Sequence, residues 1–177
     1  VVVVTEDRRA EIIERLTDHV LMHGLSASSL RPLAKAADTS DRMLLYYFKD
    51  KSEIITAVLE TISARLVHML GDRAALEPLL LDELRRQFAE ILLVDELWPY
   101  MRIWLEVASK ASMGDPYYRA VGEQIGRGFF EWGKAQLKSE SEAQREIDAA
   151  KLLVSIEGML LLKSLGLEDI NAKALRT

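Results

Sequence analysis

Apolar residues recur at helical spacing along nearly all of this 177-residue chain, and no apolar–polar alternation longer than four residues offers a strand. That pattern confines the chain to the all-α class, because a stripe that repeats every 3.6 residues hides best against other helices. Four Pro and nine Gly are all that punctuate it. A chain of this size hides roughly 70% of its unfolded surface, so it needs no staples. With no Cys, disulfides, thiolate metal sites and thiol nucleophiles are excluded, which fits a reducing cytoplasm.

The punctuation divides the chain. Thr5 is placed to cap a first helix of about 18 residues with the stripe Ile12, Ile13, Leu16, Val20 and Leu21, stopped by Gly24. Ser28 or Ser29 caps LRPLAKAA, where Pro32 falls in the first turn. After the turn ADTS, Ser40 caps a third short helix to about Tyr47, and Ser52 a fourth running past Leu70. Four longer amphipathic segments follow: LLLDELRRQFAEILL after the break GDRAALEP, LWPYMRIWLEVASKA, YYRAVGEQIGRGFFEWGKAQLK after the turn MGDP, and a last long helix opened by Ser141 with Gln144 as capping-box partner. A domain boundary near residues 50–55 lies inside the fourth helix, giving a three-helix head (1–53) joined by one continuous helix to a helical body (54–177).

Several functions are set aside at this level. His19 and His23 share a helical face, but no third ligand accompanies them, so no metal site is expected. Glu157 and Lys163 interrupt the apolar run near residue 160, so it is too charged to span a membrane, and VVVV is too short for a signal-peptide core. HExxH, GxSxG, a phosphate loop and clustered acid and base are all missing, which disfavours an enzyme and any cofactor.

Two short helices across a tight turn, braced by a longer one, make a helix-turn-helix unit. Leu44 and Phe48 lie four apart and build its core with Leu33, Ala34 and Ala37. Asp41, Arg42, Met43, Tyr46 and Tyr47 are then left outside, with Lys49 and Lys51 behind them. Exposed Arg, Met and Tyr on one short helix suit a major groove, and the lysines suit flanking phosphates. The net charge of −5 does not advertise this use, and residues 1–53 hold eight Lys or Arg against nine Asp or Glu. A helix-turn-helix that works by protein contact is therefore the rival reading.

Residues 8–55, from GLSASSLRPLAKAADTS through DRMLLYYFKDKSEII, resemble the DNA-binding domain of the TetR (tetracycline-repressor) family. Ser40, Leu44, Phe48 and Lys51 match that family's pattern; Asp38 stands for its turn glycine, Leu45 for its first recognition-helix tyrosine and Tyr47 for its histidine. Asp tolerates the left-handed turn, and Tyr47 keeps a phosphate donor. The resemblance implies DNA contacts from Ser29, Arg31, Ser40, Arg42, Met43, Tyr46, Tyr47, Lys49 and Lys51. It also implies a cytoplasmic homodimer that binds a near-palindromic operator and releases it, as a probable repressor does, when a small, mostly apolar effector fills the body.

In such a body the last two long helices dimerise and a pocket lies within. Gly122, Gly126 and Gly133 along one long helix and Gly158 in the next favour close helix approach, so with Phe130, Leu153 and Leu161 they are the expected interface, ordinary packing within the chain being the alternative. Met69, Phe88, Trp98, Met101, Trp104, Phe129 and Met159 are the expected apolar pocket. Glu106, like Glu157, falls among apolar neighbours and is assigned either to a ligand or to a bridge between helices.

Overall fold

The computed structural model describes residues 2–73 and 77–176, with side chains from Glu6 onward; part of the expected break GDRAALEP lies outside the described residues. The described residues form α1 (Val2–His23), α2 (Leu30–Ala36), α3 (Asp41–Tyr47), α4 (Lys51–Arg73), α5 (Leu81–Leu92), α6 (Trp98–Ser112), α7 (Pro116–Ala135), α8 (Glu142–Ser164) and α9 (Glu168–Ala174). Among them the nearest approach to a sheet is one isolated bridge between Leu79 and Leu137.

The head folds as its local signals direct. Ile12, Leu16 and Val20 of α1 are buried, and Gly24 ends the helix at φ +83°. Asp38 turns the chain between α2 and α3 at φ +52°, the left-handed conformation that Asp tolerates better than most residues. The Ser40 hydroxyl accepts from Met43 N at 3.2 Å and caps α3. Leu33, Ala34, Ala37, Leu44 and Phe48 are all buried in one cluster. The Arg9 guanidinium lies 4.6 Å over the Phe48 ring and is held there by Glu53 at 3.0 Å.

Several local details differ from the sequence reading. Helix α1 runs from Val2 for 22 residues, so Thr5 is inside it rather than at its cap; the Thr5 side chain lies outside the described residues. Ser52 does not cap α4: the helix opens at Lys51, and Asp50 accepts from Glu53 N at 2.9 Å. Asp50 stands one position before the helix, where its carboxylate reaches the orphan amide of Glu53, whereas Ser52 is already helical and cannot. Ser29 precedes α2 without a side-chain cap bond, while the buried Ser28 donates to Gly24 O at 3.0 Å. Ser141 caps α8 through Gln144 N at 3.1 Å, but the Gln144 amide bonds forward to Asp148 at 2.8 Å and closes no capping box. Helix α9 follows the chain's last expected helix; its buried Asn171 donates to Met159 O at 2.9 Å.

Helix α4 is the spine. Its Ile54, Ile55, Val58, Leu59 and Ile62 enter the cluster that holds the head, and its Leu66 and Leu70 enter a second cluster built with α5, α6 and α8. By length and composition α4 alone among the described helices is apolar enough to cross a membrane, and those seven buried residues account for its apolarity. The first cluster also takes Ile103 and Val107 from α6, so head and body share a continuous core.

Polar contacts fix the joint. Arg102 of α6 donates to Leu21 O at 2.7 Å and Met22 O at 3.2 Å, the last carbonyls of α1. One turn on, the Glu106 carboxylate accepts from Leu25 N at 2.5 Å. A cation on the carbonyl end of a helix and an anion on the amide after it both complement the exposed backbone charge. Across α4, Arg65 pairs with Asp18 at 2.7 Å and with Glu14, and Tyr117 of α7 meets Thr56 at 2.8 Å.

Candidate functional site

Two features stand out, one on the head and one inside the body. On the head, α3 buries only Leu44 and leaves Asp41, Arg42, Met43, Leu45 and Tyr46 outside. Tyr46 is 71% exposed and stands edge-on to the half-buried Tyr47, with ring centres 5.2 Å apart. Ser29, Arg31, Ser40, Lys49 and Lys51 are exposed as well. Among the described residues no ion pair engages Arg31, Lys35, Arg42, Lys49 or Lys51. Glu53 is occupied by Lys49 N at 2.7 Å and by Arg9, contacts that hold its carboxyl below the usual range. The head is acidic in sum, yet its helix-turn-helix face carries uncommitted cations around an aromatic ridge.

In the body, α4 to α8 surround a cavity of about 90 Å³, part of about 870 Å³ of atom-free space that opens toward solvent. Its walls are aliphatic residues of α4 and α8 and a ring system of Phe88, Tyr100, Trp104, Phe129, Phe130 and Trp132. Phe88 stacks on Trp132 with centroids 5.4 Å apart. The one acid in the wall is Glu157, whose two oxygens accept from Trp104 Nε1 at 2.8 and 3.0 Å. Desolvation pushes the Glu157 carboxyl above its ordinary value, and the indole bond only partly offsets that.

No protein-family model and no curated protein matches the chain. Solved structures do. A transcriptional regulator from Rhodococcus sp. Rha1 is 20% identical over 92% of this chain and 86% of its own, with a TM-score of 0.69. A protein described as a TetR-family transcriptional regulator from Rhodococcus sp. is 19% identical over 96% and 95%, also at 0.69. The multidrug binding protein EbrR, complexed with proflavin, is 24% identical over 90% and 89%, at 0.65. The chain has the fold of TetR-family regulators.

Within the TetR fold, the expected pocket residues divide. Phe88, Met101, Trp104 and Phe129 line the cavity. Met69 and Trp98 pack in the second core cluster outside it, Trp98 beneath Lys163 Nζ at 5.1 Å, and Met159 is buried under α9. Glu106 faces the opposite way and serves the end of α1. Trp132 and Tyr100, rings of the body like the expected ones, line it too, and so does Glu157, the acid that the sequence left between a ligand and a bridge on the same signal as Glu106.

The expected interface changes more. Added Cβ atoms at Gly122, Gly126 and Gly133 would sit 3.3 Å from Val107, 3.7 Å from Trp104 and 3.4 Å from Leu152, so these glycines serve packing of α7 on α6 and α8 within the chain. Phe130 and Leu153 line the cavity. Gly158 and Leu161 remain outward, in an exposed apolar stripe of α8 that includes Ile147, Val154 and Leu165. His68, the one histidine of the body, pairs with Asp72 at 3.0 Å on the exposed surface rather than in a buried site, and no group of three metal-ligating side chains occurs among the described residues.

Proposed function

We propose that the chain is a DNA-binding transcriptional regulator, a repressor by default, that binds a near-palindromic operator as a homodimer and is released by a small, mostly apolar effector. The observation that carries this reading is the outward face of α3, where Arg42, Met43 and Tyr46 stand free between the cations of α2 and those after α3. Bases would be read by Arg42, Met43 and Tyr46. Tyr47, Lys49 and Lys51, with Ser29 and Arg31, would hold phosphates and set the docking angle, while Ser40 serves as the cap of α3.

In this reading residues 1–53 form the DNA-binding unit and 54–177 the effector-binding and dimerisation unit. Two-fold association along Ile147, Val154, Gly158, Leu161 and Leu165 of α8 would present two α3 helices to grooves about 34 to 36 Å apart or somewhat more. The likeness to regulators, one of them a multidrug binding protein, supports a ligand-responsive role rather than an enzymatic one. Selection of bound sequences from random duplex DNA tests the reading: enrichment of a palindrome supports it. Uniform recovery of all sequences refutes it and favours a protein partner for the head.

A further inference from the structure

We infer that the body cavity recognises an organic monocation, an aromatic or aliphatic amine or amidinium, with Glu157 as its counter-charge. The inference rests on the effector reading of the cavity and names the class of ligand. Glu157 is the only acid in a wall that is otherwise apolar or aromatic, its polar remainder being Ser63, Tyr100 and two indoles. Among the described residues no Lys, Arg or His forms an ion pair with it. The cations nearest in sequence are engaged elsewhere or exposed: Lys163 binds Leu93 O at 2.5 Å, and Lys151 points to solvent.

Glu157 is half-buried, and an acid partly withdrawn from water with no cationic partner carries a cost that folded proteins normally offset by pairing the charge. Burial indeed raises the Glu157 carboxyl above its usual value. The single bonding group it has, the Trp104 indole, is a neutral donor that fixes the carboxylate without neutralising it. A ligand cation completes what the chain leaves open. Its charge meets the carboxylate, and its apolar part meets the rings of Trp104 and Phe129 in the wall, aromatic groups that attract cations as well as bury area; Phe130, also in the wall, already has Lys134 Nζ 5.8 Å from its centroid. An anionic ligand meets repulsion there, and a neutral one gains only its apolar burial. If Glu157 served only to hold Trp104 in place, the ligand's charge would be immaterial.

The test uses the full chain and three fluorescent probes of one shape: 1-naphthylmethylamine, 1-naphthalenemethanol and 1-naphthoate, titrated at neutral pH. The amine is expected to bind about tenfold or more tighter than the alcohol, and the acid least, since a desolvated cation–π and ion-pair contact is worth about that factor. In Glu157→Gln, which keeps an acceptor for the indole, amine and alcohol should bind within about twofold of each other, and Glu157→Asp should restore part of the preference. Equal binding of amine and alcohol by the parent overturns the inference, as does failure of all three to bind, and neither result depends on a variant that folds. Measuring operator affinity in the same samples separates the two readings. Amine-selective binding that leaves DNA affinity unchanged refutes the sensor role and leaves the ligand class standing. A charge-blind ligand that lowers DNA affinity does the reverse.

Discussion

Gly24→Ala perturbs the joint between head and body at one atom. Gly24 is buried at φ +83°, and a Cβ built there falls 2.6 Å from Glu106 Oε1. Two costs follow. The left-handed backbone alone costs an L-residue about 1–2 kcal/mol. The collision pushes away the carboxylate that accepts from Leu25 N at 2.5 Å, and a buried amide that loses a charged acceptor costs about 1.5–3 kcal/mol more. The single variant should therefore lose roughly 2.5–5 kcal/mol in urea unfolding. Glu106→Ala removes the obstacle and the acceptor together, so in that background Gly24→Ala should cost only the backbone share of about 1–2 kcal/mol. The double-mutant cycle thus reports a coupling of about 1.5 kcal/mol or more, far above the ~0.5 kcal/mol at which distant sites add. Additive losses, or a Gly24→Ala loss below about 1 kcal/mol, would show that α6 does not grip the end of α1 in this way.

Three further outcomes are expected. Leu44→Ala and Phe48→Ala should each destabilise the chain by roughly 2–5 kcal/mol, because both are fully buried in the head, and thermal or urea unfolding reads this directly. Glu157 has a raised folded-state pKa, so its protonated form is the one the fold favours; the stability it contributes is present below the usual carboxylate value and is lost as pH rises through the raised one. Glu157→Gln should flatten that part of the stability profile, and an unchanged profile would place the carboxylate in water. Val154→Arg introduces a charge at a position 73% exposed in the single chain, and should convert a dimer to monomer in sedimentation at micromolar concentration with folding intact; a parent that is itself monomeric refutes the α8 interface.

What the sequence made legible is what is local in physical origin. Asp38, Ser40 and Gly24 act through their own backbone or the next turn, and Leu44 with Phe48 through a four-residue spacing, so their roles can be read without a partner helix. The Ser52 cap failed by a short shift of register, because Asp50 offers the same chemistry two residues earlier. The body is different. Glu106 and Glu157 look alike in sequence, and only the placement of α6 between α1 and the cavity turns one to the joint and the other to the pocket. Met69, Trp98 and Met159 are as apolar as Met101 and Trp104, and nothing in spacing says which of them meets open space. The α7 glycines signalled close approach correctly but could not say whether the approaching helix belongs to the same chain. Helix α9 had a signal, Gly166 followed by the acidic pair Glu168 and Asp169, that suits a stop and a new first turn.

The most direct test of the central claim, that α3 reads DNA, is a salt titration of duplex binding by the parent, Arg42→Ala and Lys51→Ala on a selected sequence and on random DNA. Both side chains are exposed and free of ion pairs among the described residues, so neither substitution should disturb the fold. Arg42→Ala should cost about 1–3 kcal/mol on the selected sequence and relax choice at one position, leaving random DNA bound as before. Lys51→Ala should weaken both DNAs alike and lower the salt slope by about one unit per half-site, one counterion fewer being released. A parent that prefers no sequence, or an Arg42→Ala chain that binds both DNAs as the parent does, would contradict the account and leave the exposed face of α3 to a protein partner.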